Sequence, residues 1–153
     1  MKLYLVQHAE AQSKDVNSER PLTSKGTADI QKTAAFADRL GIRVDKIYQS
    51  GKLRASQTAE ILAAHIASEG LVEENADLKP KADPTVWRNR LDKVTEDIAL
   101  VGHMPQLDKL ASLLLCGDSD AHIIAFQNAG IVCLESSDEN GWQAAWIVTP
   151  ALL

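Results

Sequence analysis

Apolar residues recur along this chain with two periods, and the two alternate. Residues 2–6 carry four apolar side chains in an unbroken run after Lys2, the pattern of a strand buried on both faces of a parallel sheet. Ile30, Ala34, Ala37 and Leu40 then follow at helical spacing. Thr23 is placed to cap that helix and Gly41 to close it. Val44 to Tyr48 predicts a second strand. Leu53, Ile61, Leu62 and Ile66 predict a second helix, with Ser50 as a possible cap and Gly70 as a stop. The pattern weakens from Leu71 to Leu91, where it predicts a short strand near Val72, a loop over residues 77–84 and a helix from Pro84. Asp97 to Val101 predicts a third buried strand. Pro105 suits a first helical turn, and Leu107, Leu110, Ala111 and Leu114 form a stripe that Gly117 ends. Residues 122–126, 130–135 and 142–148 read as strands, the last two joined through the hairpin signal Asn140-Gly141.

Strands alternating with helices and ending in a hairpin predict a three-layer α/β/α sandwich. Its sheet is mostly parallel, with a C-terminal antiparallel hairpin. One domain over residues 1–153 is expected, because a chain of 153 residues that is 45% hydrophobic can bury a sizeable core. The alternation of Trp142, Ala144 and Trp146 places both tryptophans on one strand face. With Trp87 they read as core or surface anchors.

Composition narrows the function classes. No apolar stretch is long enough for a membrane span, and the N-terminus lacks a signal-peptide pattern, so a cytoplasmic protein without membrane contact is expected. Cys116 and Cys133 fit no metal or redox spacing and read as reduced core thiols. The net charge of −5 argues against nucleic acid as a partner. The charge is unevenly spread: residues 1–54 hold ten Lys/Arg against six Asp/Glu, and residues 55–153 hold six against fifteen. An anion site is therefore better sought in the early part of the chain.

Ligands of parallel sheets gather beyond the carboxyl ends of the strands. Three polar clusters fall there: His8 after the first strand, Ser50 and Arg54 after the second, and Gly102-His103 after the third. A lone histidine of this kind is usually satisfied by backbone, and a lone arginine is usually a solvated helix residue. Here they share one end of three elements. Arg54 falls in a first helical turn, where free N–H groups and the helix dipole favour an anion. No second set of Cys, His or carboxylates has metal-ligand spacing. Two histidines, an arginine and a helix N-terminus suit phosphoryl chemistry better. A neutral imidazole attacks phosphorus, and the other donors neutralise the non-bridging oxygens. His65 and His122 fall outside this grouping and read as structural.

The sequence resembles the histidine phosphatase superfamily, and within it the small SixA-like phosphohistidine phosphatases. "LVQHAEA" is similar to the family's strand followed by Arg-His-Gly. "RPLTSKG" is similar to its Arg-Pro-Leu-Thr-x-x-Gly element, "YQSGKLRASQTAEIL" to its Ser-x-x-x-Arg-Ala-x-Gln-Thr segment, and "LVGHMPQL" to its second-histidine loop. The resemblance spans nearly the whole chain and implies a phosphoglycerate-mutase-like fold. It implies His8 as the phospho-accepting nucleophile, His103 as the second catalytic histidine, and Arg54 and Arg20 as phosphate-binding arginines. It implies a metal-independent phosphatase without a cofactor, acting on a phosphohistidine-bearing protein or a small phosphorylated substrate. A role in signal transduction is implied as well.

Two positions depart from the pattern. Gln7 stands where the family has arginine; it keeps an NH2 donor for phosphate but loses the charge and the bidentate fork. Ala9 stands where glycine is usual and adds a methyl beside the nucleophile. Larger family members protonate a leaving alkoxide with a carboxylic acid, for which Asp77 is the nearest counterpart here. A phosphohistidine leaving group needs less help than an alkoxide. The departures leave open a phosphatase of small phosphomonoesters, and a weakly active or non-catalytic phosphohistidine-binding module.

Overall fold

The computed structural model describes residues 1–66 and 72–153. The sheet has six strands: β1 (Lys2–Gln7), β2 (Lys46–Gln49), β3 (Val72–Glu74), β4 (Ile98–Gly102), β5 (Ile131–Ser137) and β6 (Gly141–Val148). Their spatial order is β3-β2-β4-β1-β5-β6. β1, β2, β3 and β4 run parallel, and β5 and β6 form an antiparallel hairpin on the far side of β1. β1 is therefore central, with Gln7 level with Gly102 of β4. Four helices cover the sheet: α1 (Ser24–Arg39), α2 (Leu53–Ile66), α3 (Pro84–Leu91) and α4 (Gln106–Cys116). A 3₁₀ turn occupies Ala76–Leu78, within the stretch expected to be loop.

Period-two alternation along the strands divides the core into two layers. Tyr4, Val6, Ala99 and Val101 face α1 and α2, meeting Ile30, Ala34, Ala59 and Leu62. Leu3, Leu5 and Leu100 face α3 and α4, meeting Trp87, Leu91, Leu107 and Leu110. Full burial of side chains of this size contributes roughly 1.5–3 kcal/mol each before chain entropy is counted. These are the three layers the pattern predicted. The hairpin turns at Gly141, whose positive φ of 65° needs no Cβ.

Both ends of α1 and the end of α4 follow the expected chemistry. Thr23 Oγ1 accepts from Gly26 N at 2.9 Å at the start of α1, and Gly41 (φ 68°) and Gly117 (φ 73°) follow α1 and α4. Gly26 has a second role: a Cβ there would lie 2.1 Å from the Glu10 carbonyl oxygen. The start of α1 thus rests directly on the backbone that leaves His8. The expected stop at Gly70 lies outside the described residues.

Four local expectations are corrected. Residues 122–126 are not a strand. Ile124 is buried and Phe126 half-buried against the α4-side core, so the apolar alternation is satisfied without a ladder. This segment leads across the end of the sheet, where Ala129 N donates to Gln7 O at 3.0 Å. Trp142 and Trp146 lie on opposite faces, because a register shift at Cys133/Leu134 inserts a residue between them. Cys116 is exposed at the end of α4, whereas Cys133 is buried; both are free thiols. Ser50 does not cap α2, which begins three residues later; its hydroxyl is engaged by His103.

Candidate active site

The carboxyl ends of β1, β2 and β4 bring His8, Arg54 and His103 together. The His8 backbone extends the β1–β4 ladder by one step, its N–H donating to Gly102 O at 3.1 Å. Asn128 Nδ2 holds the His8 carbonyl at 2.7 Å. The ring is fixed at both nitrogens. Nδ1 lies 2.7 Å from Ala9 O, an acceptor only, so the imidazole proton sits on Nδ1. Nε2 therefore carries a lone pair, and Arg54 Nε donates to it at 3.2 Å. The two histidine rings stand 4.8 Å apart between centroids.

The surroundings keep both imidazoles neutral. Burial pushes the His8 pKa down to about 4, opposed by the bond to Ala9 O and helped by the charges of Arg54 and Arg20. Burial likewise pushes His103 down to about 3, with His8, Arg54, Lys52 and Arg20 adding to the effect. His103 is 1% exposed. Its Nε2 lies 2.6 Å from Ser50 Oγ, and its Nδ1 has no hydrogen-bond partner. Ser50 Oγ also accepts from Lys52 N at 3.4 Å.

Arg54 sits in the first turn of α2 and is 8% exposed. No carboxylate pairs with it among the described residues, so a buried guanidinium faces the imidazoles with its charge unmatched. Arg20 reaches the same region from the loop before α1. Its backbone is left-handed (φ 54°), and its Nε donates to Gln12 O at 3.0 Å. Its charge is felt by both histidines. Together these groups form a pocket of neutral imidazoles and excess positive charge, suited to a tetrahedral oxyanion.

The two departures now have positions. Ala9 is fully buried, and its methyl belongs to the core under α1 and α2. It is not among the residues with positive φ, so the backbone there does not require glycine. Gln7 ends β1 with its Oε1 buried and without a partner. That oxygen can only accept a hydrogen bond; donation to an oxyanion belongs to the side-chain NH2. Asp77 lies in the 3₁₀ turn, and its carboxylate accepts from Arg90 Nη2 at 3.2 Å. It makes no hydrogen bond with His8, His103 or Arg54. His65 is half-buried in the last turn of α2, and His122 pairs with the buried Asp108 of α4.

Three supporting residues were not singled out from the sequence. Thr58 Oγ1 accepts from Ala9 N at 3.0 Å and donates to Arg54 O at 2.7 Å, tying the backbone after His8 to α2. Its signal was present four residues after Arg54, where a helical side chain lies on the same face. Asn128 had no such signal, because it lies 120 residues from His8 in an irregular segment. Gln106, fully buried in the first turn of α4, has both amide atoms without partners.

The family model described as histidine phosphatase superfamily (branch 1) matches residues 3–79. The chain belongs to that superfamily. The match spans β1, the Arg20 loop and the Arg54 helix, three of the segments that build the pocket. An uncharacterized protein of Picosynechococcus sp. is 33% identical over 144 residues, covering 89% of this chain and 86% of its own length. Among solved structures, the protein histidine phosphatase SixA complexed with tungstate superposes with a TM-score of 0.86 at 20% identity, covering 99% of both chains. The alpha-ribazole phosphatase from Shigella flexneri gives 0.81 at 15% identity, over 98% of this chain and 97% of that one. A phosphoserine phosphatase from Entamoeba histolytica with 3-phosphoglyceric acid gives 0.73 at 18% identity, over 99% of both. These superpositions establish the phosphoglycerate-mutase-like fold. They come from proteins with different substrates.

Proposed function

We propose that this superfamily member is a phosphatase that removes the phosphoryl group from a phosphohistidine of a partner protein, with His8 as a covalent way-station. The observation that carries the reading is the state of His8. Its proton is held on Nδ1 by Ala9 O, and its Nε2 lone pair lies beside the unmatched charge of Arg54. In the first step Nε2 attacks phosphorus. The bond from phosphorus to the partner's ring nitrogen breaks, and its electron pair returns to that nitrogen. With the partner's other ring nitrogen protonated, a neutral imidazole departs and no acid is required from the enzyme. Arg54 and Arg20 match the charge on the transferring oxygens. His103, neutral, stands beside His8 with the ring centroids 4.8 Å apart, and Gln7 offers its amide NH2. In the second step water attacks the phosphorus on His8, the P–N bond breaks, and inorganic phosphate leaves.

A leaving imidazole also fits the lack of a free carboxylic acid at these residues, since Asp77 is occupied by Arg90. Charge neutralisation is assigned to guanidinium and imidazole groups. Among the described residues no group of three or more His, Cys, Asp or Glu is placed to hold a metal ion. Small phosphomonoesters are the second reading, favoured by the fold shared with the alpha-ribazole and phosphoserine phosphatases. A binding module without turnover is the third, motivated by Gln7.

The test is incubation with a histidine-phosphorylated protein, with loss of its phosphate followed over time and the enzyme quenched in base. Loss of phosphate and an acid-labile, base-stable label on His8 are expected, and both should vanish in His8→Ala. Near wild-type turnover by His8→Ala would overturn the mechanism. A kcat/KM for small phosphomonoesters above that for the phosphoprotein would select the second reading. Binding without turnover on either would select the third.

A further inference from the structure

Beside the phosphoryl pocket lies an open cleft of about 430 Å³ whose lining includes Lys14, Glu19, Arg20, Lys52 and Arg54. Four cations face one carboxylate there, in a protein whose net charge is −5. Outside the cleft, Lys25, Arg43, Lys46, Arg88, Arg90 and Lys109 are each paired with an aspartate or glutamate, and six other cations among the described residues are not; the cleft differs in gathering four unpaired cations in one place. Among the described residues none of the four cleft cations makes such a pair. Two of them, Arg20 and Arg54, are accounted for by the phosphoryl group. Lys14 and Lys52 are surplus to it.

The wall that carries Lys14 is built as a projecting arm. Ala11 and Leu22 bridge its base, and Gln12 N donates to Pro21 O at 2.8 Å. Its tip is set by Val16 N and Asn17 N, which both donate to Ser13 O. The Arg20 side chain braces it from below through Gln12 O. At the tip Val16 is 75% exposed. A preformed arm with an apolar tip and an unpaired lysine, next to a phosphoryl pocket, offers far more contact than a free phosphate or small ester can use. We propose that Lys14, Val16 and Lys52 form a docking surface for a polypeptide substrate whose phosphohistidine is flanked by carboxylates. This rests on the phosphohistidine reading above and adds the charge of the partner's flanking sequence to it. Unpaired charges of one sign beside a reaction site steer oppositely charged partners and disfavour like-charged ones.

Two synthetic peptides test it, each with a central phosphohistidine, one flanked by glutamates and one by lysines; phosphoramidate serves as a donor without flanks. For the wild type, kcat/KM on the acidic peptide should exceed that on the basic one by about tenfold at low ionic strength, a gap that narrows with salt. The Lys14→Glu/Lys52→Glu double variant, checked for fold by circular dichroism, should erase or invert the preference. The preference is read as the ratio of kcat/KM on the two peptides, so that the action of the Lys52 charge on His103 cancels; Lys14→Glu alone, whose charge acts on neither histidine, should keep kcat/KM on phosphoramidate within about threefold of wild type. Equal rates on both peptides by the wild type would overturn the docking surface and leave the phosphohistidine reading standing. So would an acidic preference that survives the double variant. Hydrolysis of phosphoramidate but of neither peptide would overturn both.

Discussion

Acidification is the perturbation that tests the pocket most directly, because two buried imidazoles must stay neutral for His8 to carry a lone pair. In the unfolded chain a histidine titrates near 6.5; in the folded chain burial lowers His8 to about 4 and His103 to about 3. The native state therefore binds fewer protons than the unfolded state between those values, and stability must fall as pH falls from about 7. At pH 5 the linkage relation gives a loss of about 2 kcal/mol for each histidine, relative to pH 8. The loss grows until the folded-state pKa is passed. The same depression keeps the His8 lone pair available: at pH 5 about 90% of His8 is neutral, against about 3% for an unperturbed imidazole. Two assays read this. The carbon-bound ring protons of His8 and His103 should show no titration between pH 8 and 5 in NMR spectra. Urea unfolding should lose about 2 kcal/mol less on going from pH 8 to 5 in His103→Gln than in wild type, since one of the two depressed groups is gone. A His8 ring that titrates near 6.5 would refute the reasoning. It would mean that the ring is solvated and that Arg54 does not hold its lone pair.

Further expectations concern single side chains. Arg54→Ala should weaken vanadate inhibition by one to two orders of magnitude, about 1.4–3 kcal/mol, and Arg54→Lys by less, since a charge remains without the Nε contact to His8. Unchanged inhibition in Arg54→Ala would place the guanidinium outside the oxyanion's reach. Gln7→Arg should tighten vanadate binding by roughly tenfold, about 1.4 kcal/mol, by adding a charge and further N–H donors at the end of β1 beside His8; equal binding in a folded variant would show that the side chain does not face the oxyanion. Gly26→Ala should destabilise the protein by about 1–3 kcal/mol or more in urea unfolding, because its methyl would meet the Glu10 carbonyl. A neutral Gly26→Ala would mean that α1 does not rest on the backbone after His8.

Legibility in the sequence followed how local each signal was. β1 is buried on both faces, so its apolar run could be read without knowing its partners, and its end placed His8. The α1 cap at Thr23 and the stops at Gly41 and Gly117 act within a few residues, and they too were legible. The residues 122–126 misled because apolar alternation reports alternate burial, not ladder pairing, and here Ile124 and Phe126 bury themselves while crossing the sheet's end. Trp142 and Trp146 misled for a related reason. One inserted residue reverses the face of everything beyond it, and a bulge leaves no mark in a pattern of period two. Cys116 ends an apolar run, but the α4 stripe has rotated to solvent by its position. The contacts that fix the His8 backbone, to Gly102 and Asn128, join residues about a hundred positions apart, and no local rule announces them.

That distribution of contacts also explains how the strand end can tolerate glutamine at position 7. His8 does not depend on its neighbour's side chain for its place. Gly102 O, Ala9 O, Asn128 and Arg54 hold His8 at four different atoms, and Thr58 links Ala9 to the Arg54 helix. Glutamine in place of arginine at residue 7 leaves one charge fewer beside His8 and leaves the placement of the His8 ring intact. The remaining charge comes from α2 and from the braced loop before α1, both anchored independently of β1. A substitution at Gln7 should therefore move oxyanion affinity without moving His8. One at Thr58 should do the reverse, disturbing the ring and the Arg54 backbone together while leaving the count of charges unchanged.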